Sequence, residues 1–216
     1  MTRLKTHLNP LATALALATT ALLTPLAQAA DTPAYAITGD GTYIGDRSNT
    51  TGFVFTAEKD ATLTALGFHD YLLDGLNVAH EVALYSMTGT MLAMATVAAG
   101  NSAALIGEYR YATLGSSFML QAGTQYMLAA QTDATDGYRY GTLPYATVMA
   151  SPLISIGAAA GFYNSYGPNL TFPASAGYDI YATPNMLLAG AVPEPSTWLL
   201  MFAGLTAVAV GVRRPG

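Results

Sequence analysis

Hydrophobic and polar residues alternate along most of the chain in short runs, with the two-residue period of a β-strand. Phe53 and Phe55 fall on one face of their run, whereas Leu63 and Leu66 fall on opposite faces of theirs. Glycine, aspartate and asparagine separate the runs, as turn residues do between strands. The predicted strands are Tyr35 to Thr38, Thr42 to Ile44, Gly52 to Thr56, Ala61 to Phe68, Glu81 to Ser86, Met91 to Val97, Tyr109 to Leu114, Phe118 to Leu120, Gln125 to Gln131 and a closing strand Ala182 to Leu188.

Two stretches of this central part carry more specific predictions. Gly39-Asp40-Gly41 contains a strong hairpin signal, so the strands on either side of it are predicted to pair with each other. Ala146 to Tyr181 is rich in glycine, alanine, serine, tyrosine and asparagine, and it predicts long loops with two or three short strands. The whole pattern predicts an all-β body, built as a β-sandwich or jelly roll.

The N-terminal pattern is different and indicates a secretory signal helix. A basic start is followed by an apolar region of 13 residues, Leu11 to Leu23, and then by Ala27-Gln28-Ala29 as a small-x-small cleavage site. The run is too short to span a bilayer comfortably. We therefore expect export through the translocon, with cleavage by signal peptidase after Ala29 or Ala30.

The C-terminal pattern indicates a single transmembrane-type helix. Trp198 to Val212 is a run of 15 residues without a charge, apolar on every face of a helical wheel. Such a helix is about 22 Å long, which is short for a hydrocarbon core of about 30 Å. Trp198 takes the place of an interfacial aromatic, and Arg213 and Arg214 take that of cytoplasmic cations. The alternative is a buried core helix, which needs no arginine pair at its end.

Val192-Pro193-Glu194-Pro195 precedes this helix, and its prolines keep the backbone extended around Glu194. This motif, the apolar run and the Arg-Arg end together resemble the PEP-CTERM sorting tail of Gram-negative bacteria, which is also catalogued as an ice-binding-protein C-terminal domain. The resemblance implies recognition of Pro193, Glu194 and Pro195 by an exosortase-type enzyme. The body would be held transiently at the inner membrane, outside the cytoplasm, and then attached at the cell surface or secreted.

The ice-binding name concerns the tail alone, because the body has only one clear Thr-x-Thr pair, Thr62 and Thr64.

The two ends and the pattern between them predict three parts. The parts are a signal peptide (1–30), a β-sandwich domain (31–191) and a sorting tail (192–216). The tail consists of a motif (192–197), a hydrophobic helix (198–212) and a basic end (213–216).

Composition narrows the partners of the body. Between residues 31 and 191 there are four basic and twelve acidic residues, so nucleic acid and anionic lipid are repelled. The chain has no cysteine, which excludes thiol catalysis and disulfides. Apart from the processing enzymes and the membrane, the expected partners are neutral glycans such as an exopolysaccharide, cations or proteins.

Catalytic motifs are missing from the sequence. No serine lies in G-x-S-x-G, and neither H-E-x-x-H nor an EF-hand loop occurs. Glu58, Glu81 and Glu108 are too far apart in the chain for the sequence to pair any two as glycosidase carboxylates. The sequence thus predicts a protein that is not an enzyme, with a glycoside hydrolase as an alternative.

A loop after the fourth predicted strand carries the remaining candidate chemistry. Asp70, Asp74 and Asn77 offer oxygen ligands of the kind that calcium prefers, near His69 and His80. Their spacing matches no established calcium or zinc pattern. In the alternative interpretation, these side chains accept hydrogen bonds from the backbone of a turn-rich loop. The sequence predicts no cofactor, and names these three residues as candidates if structural calcium binds.

The region Gly52 to Gln131 also resembles an uncharacterised exported β-sandwich domain that occurs in PEP-CTERM proteins. That resemblance implies no catalytic residue. The sequence therefore predicts a surface or matrix protein of the biofilm, with a structural or binding role, and a calcium-dependent carbohydrate-binding module as the first alternative. The landmarks are Asp74-Gly75-Leu76, His80-Glu81-Val82, Leu84-Tyr85, Gly89-Thr90-Met91-Leu92-Ala93, Tyr109-Arg110-Tyr111 and Ala122-Gly123-Thr124-Gln125-Tyr126.

Overall fold

A computed structural model describes residues 31–39, 42–44, 48–141, 146–156, 162–173, 175–177, 180–181 and 183–190. All of them belong to one compact unit, Ala29–Ala191. The predicted signal helix and sorting tail lie outside the described residues, so their structure and cleavage remain predictions. This applies to Ala27, Ala29, Ala30, Val192, Pro193, Glu194, Pro195, Trp198, Arg213 and Arg214.

The described residues form strands and loops, and they contain no helix. The prediction of an all-β body is confirmed. The strands are β1 (Thr32–Pro33), β2 (Tyr35–Gly39), β3 (Thr42–Ile44), β4 (Asn49–Ala57), β5 (Ala61–His69), β6 (His80–Ser86), β7 (Met91–Val97), β8 (Ala104–Ile106), β9 (Tyr109–Leu120), β10 (Gln125–Gln131), β11 (Tyr138–Gly141), β12 (Ala146–Ala150), β13 (Ile154–Ile156), β14 (Phe162–Tyr166), β15 (Ser175–Gly177), β16 (Ile180–Tyr181) and β17 (Pro184–Gly190).

Two larger antiparallel sheets make up most of the unit. One has the order β1-β17-β5-β9-β8, and the other has the order β15-β14-β4-β10-β6-β7, with β13 also paired to β4. The strands β16-β11-β3 and β12-β2 form two smaller sheets. Strand β7 of the second large sheet lies close to β9 of the first, so the sheets come together along that side.

The inner faces of both large sheets share one hydrophobic core. Phe53 and Phe55 of β4 lie within it, in edge-on and tilted contacts with neighbouring rings. Leu63 and Phe68 of β5 enter the same core from the other sheet. The alternation of β4 is therefore what the sequence predicted, since its phenylalanines are the inward-facing residues.

Strand β5 departs from strict alternation. Leu63 and Leu66, predicted on opposite faces, are both fully buried in the same core. The register with β9 and with β17 shifts at Thr64, which marks a β-bulge. A bulge adds one residue to the strand and reverses which positions point inward beyond it, so both leucines reach the core.

The predicted hairpin around Gly39-Asp40-Gly41 is wrong. β2 pairs with β12, and β3 pairs with β11, so each strand takes a partner about a hundred residues further along the chain. The local turn signal was outweighed by these long-range ladders. The stretch from Ala146 to Tyr181 is also more ordered than predicted, because five strands, β12 to β16, lie within it.

Three buried tyrosines link the first large sheet to β2. The Tyr35 hydroxyl donates to the carbonyl of Pro184 at 2.5 Å and accepts from the Tyr109 hydroxyl at 3.2 Å. Burial raises the pKa of Tyr35, Tyr109 and Tyr111 well above the ordinary 10.0. The Tyr111 ring covers Gly67, where an added Cβ would lie 2.6 Å from the ring.

We expect these tyrosines to make the fold unstable above about pH 10. Between its pKa in the unfolded chain and its raised pKa in the folded protein, such a tyrosine is protonated when folded and ionised when unfolded. The free energy of unfolding therefore falls as the pH rises through that window. Three such groups predict a loss of about 4 kcal/mol per pH unit. Circular dichroism and tyrosinate absorbance should change together in a titration from pH 9 to 12.

Tyr111→Phe is the matched variant, because it removes one hydroxyl and leaves the ring over Gly67 in place. Its alkaline transition should be about one third less steep and should occur at a higher pH. Tyrosinate absorbance that rises fully before the circular dichroism changes would contradict this account.

Candidate functional site

A polar pocket lies where the chain leaves β5 and β10. Its volume is about 60 Å³, which is room for a few water molecules or a small hydrated ion. The loop after β5 and the loop after β10 supply the walls. The lining residues are His69, Asp70, Tyr71, Leu72, Asp74, Gly75, Leu76, Asn77, Thr135, Asp136 and Gly137.

The loop after β5 is folded back on itself by tight turns. The Leu73 amide donates to the Asp70 carbonyl, and Leu73 has a φ of 62°, a left-handed conformation that is uncommon for leucine. Gly75 follows with a φ of 107° and packs against the backbone of Gly100, where a Cβ would lie 3.0 Å from the carbonyl carbon. Leu76 and Gly100 then exchange two backbone hydrogen bonds. These contacts hold the loop in one position beside the pocket.

Asp70 anchors the start of this loop through a buried ion pair. Its Oδ2 accepts from Arg110 Nε at 2.6 Å and from the Gly75 amide at 3.1 Å. Arg110 Nη1 also donates to the carbonyls of Asn101 and Ala103, at 2.9 and 3.1 Å. Both charged side chains are almost fully buried, and the charge of each is compensated by the opposite charge of the other.

Asp136 anchors the opposite wall. Its Oδ1 accepts from the Asn77 amide at 2.8 Å and from Asn77 Nδ2 at 2.9 Å, and its Oδ2 accepts from the Val78 amide at 3.0 Å. Burial by itself would raise the pKa of Asp136, but these donors and His80 together lower it below the ordinary 3.8. The ionised carboxylate therefore ties the two loops together.

His80 lies behind the pocket at the start of β6. Its ring is fully buried and stacks on Phe68, with ring centroids 3.6 Å apart and planes 7° apart. Nδ1 is 2.9 Å from the Gln131 carbonyl, and Nε2 is 2.9 Å from Asp136 Oδ2. The ligand atoms of His80, Asp133 and Asp136 all lie within 4.8 Å of one another. Among the described residues, these three form the group that could hold a metal ion.

A second histidine contact lies at the end of β5. His69 Nε2 is 3.2 Å from Glu108 Oε2, and the Asp70 amide donates to the Glu108 carbonyl. The His69 ring also meets Tyr109 edge-on, at 5.1 Å between centroids. His69 is therefore fixed against β9 at the back of the pocket.

The structure brings the three calcium candidates of the sequence to one place. Asp70, Asp74 and Asn77 all line the pocket, although Asp74 and Asn77 are exposed and Asp70 is buried. The Asp70 carboxylate is bound to a guanidinium, which competes directly with any cation there. The sequence did not single out Arg110 or Asp136, because each lies at least 40 residues along the chain from the residue that it binds, Asp70 and Asn77 respectively.

The chemistry of this site is that of a rigid polar recess. Asp70, Asp136 and His69 each hold another part of the fold through an ion pair or through backbone amides. One part of the pocket rim is apolar, since Leu72, which lines the pocket, and its neighbour Leu73 are 71% and 48% exposed. The recess itself can hold water or a small ion, and the exposed leucines beside it offer apolar surface to a larger ligand.

A family model described as a domain of unknown function, DUF4082, matches residues 33–182, which is well over half of the 216-residue chain. The chain belongs to the DUF4082 family. The match includes β2 to β16, and therefore every residue of the pocket lies within the DUF4082 domain. The family description assigns no activity to the pocket.

A second family model, the PEP-CTERM protein-sorting motif, matches residues 191–214, and β17 lies between this match and the DUF4082 match. The resemblance of the tail to PEP-CTERM proteins is thereby confirmed. A tail of this kind marks an exported protein that an exosortase sorts. Within the part of the chain that the structure describes, no helix has the length and hydrophobicity needed to cross a bilayer.

Comparisons with individual proteins add little to these two matches. No curated protein matches the chain. Among solved structures, the VP2 subviral particle of infectious bursal disease virus is 12% identical, and the alignment covers 78% of this chain and 43% of the viral one. Its TM-score of 0.25 is too low to establish a common fold.

Proposed function

We propose that this protein is a non-enzymatic component of the bacterial surface or extracellular matrix, displayed through its sorting tail. The single observation that supports this best is the match of residues 191–214 to the PEP-CTERM sorting motif. In this proposal signal peptidase removes residues 1–30, the C-terminal helix pauses in the inner membrane, and exosortase acts at Pro193-Glu194-Pro195. The body, a β-sandwich, is then released or attached at the surface of a Gram-negative cell.

The role of the body is structural or binding, within a biofilm or an exopolysaccharide layer. Support comes from the pocket, where the buried acidic groups brace the loops and are not arranged as an acid and a base. The apolar rim at Leu72 and Leu73 is suited to the hydrocarbon face of a sugar. A glycan array with the exported protein tests this role, and silence across surface polysaccharides would leave only the structural one.

A calcium-dependent carbohydrate-binding module is the second candidate. The observation in its favour is that Asp70, Asp74 and Asn77 line the same pocket as Asp136. Two of the three carboxylates are already engaged, since Asp70 binds Arg110 and Asp136 binds backbone amides. Sugar binding that disappears with a calcium chelator and returns with added calcium would favour this candidate over the first.

Processing of the tail can be tested directly. In Glu194→Gln we expect the mature protein to keep residues 192–216 in most molecules, because the acid between the prolines is the group presented to exosortase. Intact-mass spectrometry of the exported protein measures this, with wild type from cells with and without exosortase as reference. Ser196→Ala, just outside Pro-Glu-Pro, is the matched control and should be processed normally. Normal processing of Glu194→Gln would contradict recognition through this motif.

A further inference from the structure

The group formed by His80, Asp133 and Asp136 lies behind the candidate pocket and has an unusual distribution of hydrogen-bond donors. The Gln131 carbonyl can only accept, so His80 Nδ1 must carry the hydrogen of that 2.9 Å contact. In the neutral ring, Nε2 then has a lone pair and no hydrogen. That lone pair points at Asp136 Oδ2, another acceptor, at 2.9 Å. Two acceptors at this distance need a proton or a metal ion between them.

The orientation of His80 is that of a metal ligand. A histidine that binds a metal through one ring nitrogen usually donates the other ring N–H to a carbonyl or carboxylate outside the metal site. Gln131 supplies this carbonyl from β10, and Phe68 fixes the ring plane by stacking against it. Nε2 is thus held in place inside the fold, on a fully buried residue and directed at Asp136, with a ligand atom of Asp133 within 4.8 Å.

The charge of the group also favours a divalent ion. The group contains two carboxylates, that of Asp136 being buried and that of Asp133 half-buried. A divalent cation on neutral His80 makes the total zero, and burial of a net charge is costly. Asp133 can contribute through Oδ2, which accepts one hydrogen bond, from Thr135 Oγ1, whereas its Oδ1 accepts two, from the amides of Thr135 and Asp136.

The distance between His80 and Asp136 fits a transition-metal ion. With metal–ligand bonds of about 2.1 Å, atoms 2.9 Å apart subtend about 90° at the metal, the angle between neighbouring ligands in five- or six-coordinate sites. Asp136 also lines the pocket, so water in the pocket can complete the coordination. One imidazole with two carboxylates suits zinc and its neighbours better than calcium, which prefers oxygen ligands alone.

We propose that His80, Asp133 and Asp136 form a binding site for a divalent transition-metal ion of the zinc class. The ion clamps the start of β6 to the loop after β10, and through Asp136 it also steadies Asn77 and Val78 in the loop after β5. The role of the ion is structural, because it holds together the two loops that form the walls of the pocket. The site is independent of the sorting tail. If no metal binds there, the proposed export and processing are unaffected.

Zinc chloride is the probe, added to the exported protein after removal of bound metal with a chelator. We expect heat of binding in calorimetry, and a rise in Tm of about 5–10 °C at a zinc concentration one hundred times the Kd. Cobalt(II) in place of zinc should give visible d–d absorption bands. Calcium chloride at the same concentration should produce neither heat nor a shift in Tm.

Asp133→Asn tests the role of Asp133 as a metal ligand, because asparagine has nearly the same size and leaves no cavity. The new amide oxygen can still accept from the amides of Thr135 and Asp136, so the turn should survive while the Kd rises at least about tenfold. Asp74→Asn is the matched control, because Asp74 lines the pocket and is not in the group. Absence of zinc-dependent heat and Tm shift would overturn the proposal. Equal weakening by the two substitutions would overturn it as well.

Discussion

Replacing Arg110 with methionine is expected to lower the free energy of unfolding by about 3–5 kcal/mol. Methionine keeps an unbranched apolar side chain but cannot compensate the charge of Asp70, whose side chain is only 2% exposed. The carbonyls of Asn101 and Ala103 also lose their donor. Urea unfolding, followed by circular dichroism, measures the change, and Tm should fall by at least about 6 °C.

The control for this substitution is Lys59→Met. Lys59 is exposed in the turn between β4 and β5, so the same loss of a positive charge should change stability by less than about 0.5 kcal/mol. The double variant Asp70→Asn with Arg110→Met should recover part of the loss, because it removes the uncompensated carboxylate. A single Arg110→Met protein within 1 kcal/mol of wild type would show that the buried ion pair is not what holds this loop.

Gly52→Ala is expected to be about as damaging, with a loss of about 3 kcal/mol or a failure to accumulate folded protein. Gly52 lies in β4 opposite Ala129 of β10. An added Cβ would lie 2.9 Å from the Ala129 Cβ and would also overlap the Leu128 carbonyl oxygen. A backbone oxygen within a paired strand cannot rotate away, so β4 and β10 would have to separate. Chemical denaturation of the purified variant tests this expectation.

Gly115→Ala provides the comparison in the other large sheet. Gly115 is exposed in β9, and an added Cβ there meets nothing within 4 Å. Because alanine restricts the unfolded chain more than glycine does, this variant should be as stable as wild type or more stable by about 0.5 kcal/mol. If both alanine variants had the same stability, the close approach of β4 and β10 would not be limiting.

Most of the longer strands could be predicted from the sequence. The alternation around Phe53 and Phe55 marked β4, and β7 and β10 have the bounds that the pattern predicted. Such runs are readable because strand geometry repeats every two residues and one face is buried. The sorting tail was predictable because its motif, apolar run and basic end follow one another directly in the sequence, and the family match to residues 191–214 confirms it.

The bulge in β5 could not be predicted in this way. An extra residue at Thr64 has no distinctive composition, and strict alternation placed Leu66 away from the core that it enters. The pairings of β2 and β3 were missed because a turn signal acts over a few residues, whereas β12 and β11 are distant in the chain. Which distant strand completes a ladder depends on the competition among all strands, and a local pattern does not contain that information.

The sequence by itself determined that the body is all-β, that an acidic loop follows β5, and that the chain ends in a sorting signal. Only the tertiary structure decided what the charged residues do. Arg110 reaches Asp70 across 40 residues because β5 and β9 are paired, and His80 meets Asp136 across 56 residues because β6 pairs with β10. The physical reason is that hydrogen bonds and ion pairs act over a few ångströms, so their partners exist only once the sheets have formed.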